Sequence, residues 1–138
     1  LSPAPGQSLS EGLLRMEDIL KLSLDADLVV LSACNTAAAD GTGAEAVSGL
    51  GRAFFYAGAR SVLATHWPVE TVSARELVTH LFERYAKDPQ LTRAQALNRA
   101  MLDLIDTDVA TDGRGQAVMA YAHPAFWAPY ALYGDPGR

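Results

Sequence analysis

The chain has 138 residues, of which 49% are hydrophobic, and a formal net charge of −5. This length predicts one domain over residues 1–138, in which residues 1–12, rich in Pro, Gly and Ser, form a loop or an extended lead-in. The acidic balance excludes a nucleic-acid partner, because neutralising phosphates requires a basic face. No apolar stretch approaches the roughly 20 residues of a membrane span, and no secretory signal is apparent, so we expect a cytoplasmic protein with no membrane partner.

The first half of the chain has the pattern of a βαβ unit. A short helix around Met16 to Lys21 precedes Leu28 to Leu31, a continuous branched-apolar run typical of a parallel strand buried on both faces. Apolar positions then recur with helical spacing from Ala44 to Ala57, and Arg60 to Thr65 has the pattern of a second buried strand. The order predicts parallel pairing and a right-handed crossover.

Three glycines accompany the helix between these strands. Gly58 is placed to end it in a left-handed conformation. Gly49 and Gly51 lie in its interior, where each glycine costs roughly 1 kcal/mol relative to alanine. We therefore expect them to permit a close approach of the helix to the sheet.

Two further helices are predicted in the second half. Ser73 and Glu76 have the spacing of a capping box, and the helix that follows them is stopped by Pro89. Thr92 and Gln95 form a second capping box. The next helix has one apolar face, made of Leu97, Met101, Leu104 and Ile105.

The remainder of the chain is predicted to be a loop followed by one strand. Asp106 to Gln116 is polar and contains glycine, which is typical of a loop. Trp127 to Tyr133 has the composition of a last strand. Pro129 cannot donate to a ladder and therefore places that strand at a sheet edge.

Cys34, the single cysteine, follows the first predicted strand. Ligands of open α/β sheets bind outside the carboxyl ends of the strands, so the thiol is expected to face a cleft. Only the thiolate is nucleophilic, and a free thiol with a pKa of about 8.5 needs a base nearby. A buried packing cysteine is the alternative. One cysteine excludes an intramolecular disulfide and a multi-cysteine metal site, and we expect neither a metal nor a cofactor.

All three histidines follow the cysteine in the sequence. His66 ends the second strand, and because adjacent strands lie about 4.8 Å apart it could share a cleft with Cys34. His80 is predicted to be a solvated residue on the outer face of its helix. His123 precedes Pro124 in a loop, where packing or turn capping is the expected role.

Several motifs occur together in this chain: residues 26–37 (ADLVVLSACNTA), 51–65 (GRAFFYAGARSVLAT), 67–69 (WPV), 123–130 (HPAFWAPY) and 133–135 (YGD). Together, over Leu13 to Asp135, they resemble the CHAT domain, a caspase-like peptidase domain often found after tetratricopeptide repeats. The resemblance implies an α/β fold, a caspase-like three-layer α/β/α sandwich with a mostly parallel sheet. It also implies cleavage of peptide bonds by a Cys-His dyad in which Cys34 is the nucleophile.

The chain departs from that family at the general base. In the family the base histidine precedes the cysteine, usually in a His-Gly pair, and no histidine precedes Cys34. Because the chain opens at Leu1 without methionine, we interpret it as the C-terminal part of the domain, with the base and one or two strands upstream. Two alternatives stay open: His66 has become the base, or the domain is a catalytically inactive regulatory or interaction module.

The expected partners are a peptide or protein substrate and upstream tetratricopeptide repeats. His66 corresponds to a position where related proteins build the pocket for the substrate side chain, so a pocket wall is its favoured role. Asp40 and Glu70 are candidates at the mouth of the cleft, where a carboxylate would favour Arg or Lys in the substrate. The alternative is that they are ordinary solvent-exposed loop acids. An apolar sheet edge left open by the upstream strands could drive dimerisation.

Overall fold

The structure is a computed structural model and describes residues 14–31, 43–107, 109–111 and 114–137. These ranges contain both helices and strands, and the first four elements alternate, which confirms the α/β class. The elements, in chain order, are α1 (Met16–Ile19), β1 (Val29–Leu31), α2 (Gly43–Tyr56), β2 (Ser61–Thr65), α3 (Thr71–Lys87), α4 (Arg93–Thr107), β3 (Val109–Thr111), β4 (Ala117–Ala120) and β5 (Tyr130–Gly134).

The described central sheet has the strand order β1-β2-β5. β1 and β2 are parallel, with Leu31 opposite Ala64, and α2 lies between them in the chain, which confirms the predicted βαβ order and the parallel pairing. The right-handed crossover stays a prediction. β5 returns antiparallel to β2, with Thr65 opposite Tyr130. The described sheet is therefore mixed, and neither the mostly parallel sheet nor the caspase-like sandwich is confirmed.

The central position of β2 explains its burial. All five of its residues are buried, because it has a strand on each side and an apolar cluster on each face. Leu63 belongs to a cluster with α3 and α4, and Val62 to a cluster with α1 and α2. β1 is only half-buried, so the prediction of a strand buried on both faces is wrong over Val29–Leu31. Dimerisation through this side of the sheet stays a prediction.

The glycines of α2 act in different ways from one another. Gly58 follows the helix with a φ of 103°, which confirms the predicted left-handed position. A Cβ at Gly49 would lie 3.3 Å from the Cε atom of Met16, so this glycine allows close contact with α1. A Cβ at Gly51 would meet no atom of the described residues within 4 Å. The predicted close approach of these two glycines to the sheet is therefore wrong.

The two long helices begin differently from each other. The Thr92–Gln95 capping box is confirmed, since the Thr92 N–H donates to Gln95 Oε1 at 3.0 Å and the Gln95 N–H to Thr92 Oγ1 at 3.1 Å. α3 starts three residues earlier than predicted, with Glu70 rather than Ser73 as its N-cap and Thr71 as its first residue, and it ends at Lys87 before Pro89. Within the described ranges no helix combines the length and apolarity that crossing a bilayer requires.

The predicted loop over Asp106 to Gln116 contains structure that the sequence did not reveal. α4 continues to Thr107, and β3 pairs antiparallel with β4 in a separate two-stranded sheet. A strand of three residues is too short to show an alternation of apolar and polar residues, and the surrounding polar residues have the composition of a loop. The last strand begins at Tyr130, immediately after Pro129, rather than at Trp127. It is the outer strand of the described sheet next to β2, as predicted.

Candidate active site

The carboxyl ends of β1 and β2 lie side by side. Leu31 ends β1 opposite Ala64, and β2 ends one residue later at Thr65. Cys34 follows Leu31 by three residues, but it lies outside the described residues, as does Asp40. The position of the thiol and its distance from His66 therefore stay predictions. The described side chains at this edge come from β2, β5 and the start of α3.

His66 immediately follows β2 and is held by β5 and the turn before it. Its backbone N–H donates to the Pro129 carbonyl at 2.9 Å, and its Nε2 lies 3.1 Å from the Tyr133 hydroxyl. The two rings meet edge to face with centroids 6.3 Å apart. Burial raises the pKa of Tyr133, so the phenol is protonated at neutral pH. His66 is exposed at the carboxyl end of β2, and its Nε2 atom is already in hydrogen-bond contact with Tyr133.

Trp67 continues this surface and is fixed by the turn before β5. Its Nε1 donates to the Ala125 carbonyl at 3.3 Å, while 41% of the residue remains exposed. His123 stabilises the same turn, because its Nδ1 accepts the Ala125 N–H at 3.2 Å. The predicted turn-capping role of His123 is thereby confirmed. The exposed indole gives the edge an apolar wall beside the imidazole.

Glu70 is the N-cap of α3. Its carboxylate accepts the backbone N–H groups of Val72 and Ser73, each at 2.8 Å. These bonds, led by the one from Ser73, hold the pKa of Glu70 below its ordinary value. The predicted Ser73 cap is wrong, because Ser73 is buried in the first turn and its hydroxyl donates to the Glu70 carbonyl. Glu70 thus has a structural task besides the substrate contact predicted for it.

The Glu70 cap predicts a pH-dependent contribution to stability. Because the pKa is lower in the folded chain, this contribution is complete above about pH 4.3, the ordinary glutamate value, and is lost as the pH falls through the folded value. Glu70→Ala is expected to lower the free energy of unfolding by about 1 kcal/mol at pH 7. Urea unfolding of both proteins between pH 3 and pH 7 measures this difference.

The control for this prediction is Glu76→Gln, on the same helix. Glu76 pairs with exposed Arg75 and does not cap the helix, so its replacement is expected to change stability by less than about 0.5 kcal/mol. If the difference between wild type and Glu70→Ala is the same at pH 3 and pH 7, the carboxylate is not the source of the capping energy.

Two buried hydroxyls at this edge were missed by the sequence analysis. Thr65 and Tyr130 are 1% and 5% exposed, and their hydroxyl oxygens have no hydrogen-bond partner within the described part of the chain. Burial, and to a smaller extent the charge of Glu70, raise the pKa of Tyr130 to about 12. The two residues are directly opposed across β2 and β5, so they share one face of the sheet. Only the strand register brings them together.

His80 differs from its predicted environment. It is half-buried rather than fully solvated, and it lies close enough to α4 to influence Asp103. The pKa of Asp103 is lowered mainly by Arg84, whose guanidinium donates two hydrogen bonds at 2.8 and 2.6 Å, with a smaller contribution from His80. His80 therefore belongs to the contact between α3 and α4.

The βαβ unit and the returning antiparallel strand define a mixed α/β domain, and polar side chains lie at the carboxyl edge of its parallel pair. The family model of the CHAT domain matches residues 1–135. This chain therefore belongs to the CHAT domain family, which confirms the resemblance of its motifs.

Curated relatives place this kind of domain in much longer proteins. The chain is 35% identical over 127 residues to Tetratricopeptide repeat protein 28 of Homo sapiens, and equally so to Tetratricopeptide repeat protein 28 of Mus musculus. The match covers 92% of this chain and 5% of each relative, so the chain spans about one twentieth of their length. No solved structure matches the chain.

Proposed function

We propose that this CHAT domain is a cysteine endopeptidase in which Cys34 is the nucleophile and a histidine N-terminal to Leu1 in the full-length protein is the general base. The observation that supports it is the position of the Ser-Ala-Cys-Asn-Thr motif within the family match. The motif follows β1, and β1 ends beside β2 at the carboxyl edge of a parallel pair. Active sites of α/β sheets are formed at that edge.

The proposed reaction is acyl transfer to the thiolate. The Cys34 sulfur attacks the scissile carbonyl, the C–N bond breaks, and the protonated histidine donates its proton to the leaving amine. Water then attacks the thioester, releases the acid and restores the thiol. The backbone N–H of Cys34 is the proposed donor to the oxyanion.

The side chains at the edge suit the walls of a substrate cleft. His66 and Trp67 present an exposed imidazole and an exposed indole, and each is fixed by a hydrogen bond, to Tyr133 and to the Ala125 carbonyl respectively. His66 is proposed as a pocket wall rather than as the base, because Tyr133 already engages its Nε2 atom. Asp40 and Glu70 are proposed to favour a basic substrate residue, with Glu70 acting through the carboxylate lone pairs that the cap leaves free.

The proposed architecture is the caspase-like three-layer sandwich of the family. In this proposal the strands that would make the sheet mostly parallel lie beyond the described part of the chain. The two apolar clusters on opposite faces of β2 support helices in two layers, since one cluster includes α1 and α2 and the other includes α3 and α4. Tetratricopeptide repeats upstream of the domain are proposed from the curated relatives.

Labelling with an electrophile tests the proposal. The full-length protein is incubated with a peptidyl acyloxymethyl ketone that carries Arg at the residue before the warhead, and adducts are located by peptide mass spectrometry. Stoichiometric alkylation of Cys34 is expected, with slower labelling by the matched probe that carries Asp. A folded full-length protein in which Cys34 is never labelled would favour the inactive regulatory or interaction module.

A further inference from the structure

A cavity of about 230 Å³ lies away from the candidate active site. It is lined by side chains from the approach to β1, from α3 and from the start of α4: Asp27, Leu28, Leu81, Phe82, Tyr85 and Arg93. Leu28 precedes the first residue of β1, whereas Cys34 follows its last one. The cavity is therefore at the amino end of the strand, opposite the edge proposed for catalysis.

Arg93 lines this cavity with a buried guanidinium whose hydrogen-bond donors are not all satisfied by the described residues. Its side chain is 5% exposed, and its Nε atom has no hydrogen-bond partner within the described ranges. Its Nη2 donates weakly to the Asp135 carbonyl at 3.4 Å. A guanidinium carries five N–H donors, and an unsatisfied buried donor costs about 1–3 kcal/mol. A ligand with a hydrogen-bond acceptor would relieve that cost.

The charges around Arg93 select a neutral acceptor. Asp27 Oδ1 lies 3.9 Å from its Nη1, and Asp135 Oδ2 lies 3.8 Å from its Nη2. Asp27 lines the cavity and also accepts a hydrogen bond from Arg60 at 3.1 Å, and Arg60 in turn lies 3.8 Å from Asp25, so this group has three carboxylates and two guanidinium groups. An anionic ligand would meet the field of these carboxylates, whereas a carbonyl oxygen could accept a hydrogen bond from Arg93 without that repulsion.

The size and the walls of the cavity suit one aromatic side chain. A cavity of about 150 Å³ already holds a benzene ring, and sites for drug-sized ligands usually exceed about 300 Å³. Leu81 is 3% exposed and forms part of the core, while Phe82 is 48% exposed and leaves the cavity accessible from solvent. The apolar walls would bury an aromatic ring beside the guanidinium.

We propose that this cavity is a peptide-binding site that takes one aromatic side chain, with the neutral backbone carbonyl of the ligand accepting a hydrogen bond from Arg93. The site does not involve Cys34, and the proposed binding is non-covalent. Because it adjoins β1 and both long helices, its occupant would contact the elements that form the core of the domain.

Saturation-transfer difference NMR on the full-length protein tests this site with small probes. N-acetylphenylalaninamide is the ligand, N-acetylphenylalanine carries a carboxylate in its place, and N-acetylglycinamide lacks the ring. Binding of the first probe is expected to be the tightest of the three. Phe82→Ser is expected to weaken it about tenfold through loss of an aromatic contact, and Arg93→Lys to weaken it through loss of the Nε donor.

Leu102→Ser is the matched control for the cavity variants. Leu102 is 48% exposed on α4, like Phe82 on α3, but it does not line the cavity, so binding is expected to be unchanged. Phe82→Ser keeps the test valid if Arg93→Lys fails to fold. Tighter binding of the carboxylate probe would overturn the neutral-ligand assignment. Absence of binding, or binding that Phe82→Ser leaves unchanged, would overturn the site, and none of these outcomes bears on labelling of Cys34.

Discussion

Replacement of Cys34 by alanine in the full-length protein is expected to lower the rate of peptide-bond cleavage by about 10⁴-fold or more, because removing a catalytic nucleophile leaves only binding and oxyanion stabilisation. Cys34→Ser is expected to lose nearly as much, since a serine hydroxyl is far less ionised than a thiol at neutral pH. Cleavage of a peptide library, followed by mass spectrometry, measures both variants. Cleavage that survives in Cys34→Ala would contradict the proposed function.

His66→Ala is the comparison that separates the two roles considered for this residue. A pocket wall contributes to substrate binding, so the variant is expected to lower kcat/KM mainly through a higher KM. If His66 were the base, kcat would fall by a factor approaching that of Cys34→Ala. The Tyr133→Phe variant removes the hydrogen bond to Nε2 but keeps the ring, and it is expected to resemble His66→Ala in direction with a smaller effect.

Gly58→Ala is expected to lower the free energy of unfolding by about 3 kcal/mol, the largest stability effect that we predict. The residue has a φ of 103°, which side chains rarely allow, and a Cβ there would overlap the Leu24 carbonyl oxygen. That oxygen is part of the backbone and cannot move aside alone. For a domain of this size the loss corresponds to a drop in Tm of roughly 10 °C, measurable by circular dichroism.

Gly51→Ala is the matched control, since it makes the same substitution seven residues earlier. Gly51 lies inside α2, and within the described part of the chain no atom is closer than 4 Å to a Cβ placed there. Alanine has the higher helix propensity, so this variant is expected to gain up to about 1 kcal/mol. Equal losses from both substitutions would contradict the assignment of the Gly58 effect to its positive φ and to the overlap of a Cβ with Leu24.

Local patterns predicted the helices and strands that have strong periodicity or clear capping signals. The buried run over Arg60 to Thr65 became β2, and the reciprocal bonds of Thr92 and Gln95 start α4 as expected. The same reasoning failed at Ser73, because a residue with capping chemistry can equally sit in a first turn. Glu70 caps α3 instead, through bonds that spacing alone did not distinguish.

Some residues of the candidate site could likewise be predicted from the sequence, and others could not. The motif around Cys34 and the position of His66 after a strand were evident from the sequence. Thr65, Tyr130 and Tyr133 were not, because β5 is separated from β2 by 64 residues between Thr65 and Tyr130 and meets it only through antiparallel pairing. No local pattern specifies which distant strand will pair, since that choice depends on burial across the whole sheet.

The amino-acid sequence by itself determined the class of this domain, its CHAT motifs and the residue that could attack a peptide bond, because these depend on residue type and short-range order. The tertiary structure decided that the described sheet is mixed, that Glu70 holds a helix start, and that Arg93 is buried beside an apolar cavity. The physical reason is that pairing direction, burial and unmet hydrogen bonds arise only when segments far apart in the chain exclude water from one another.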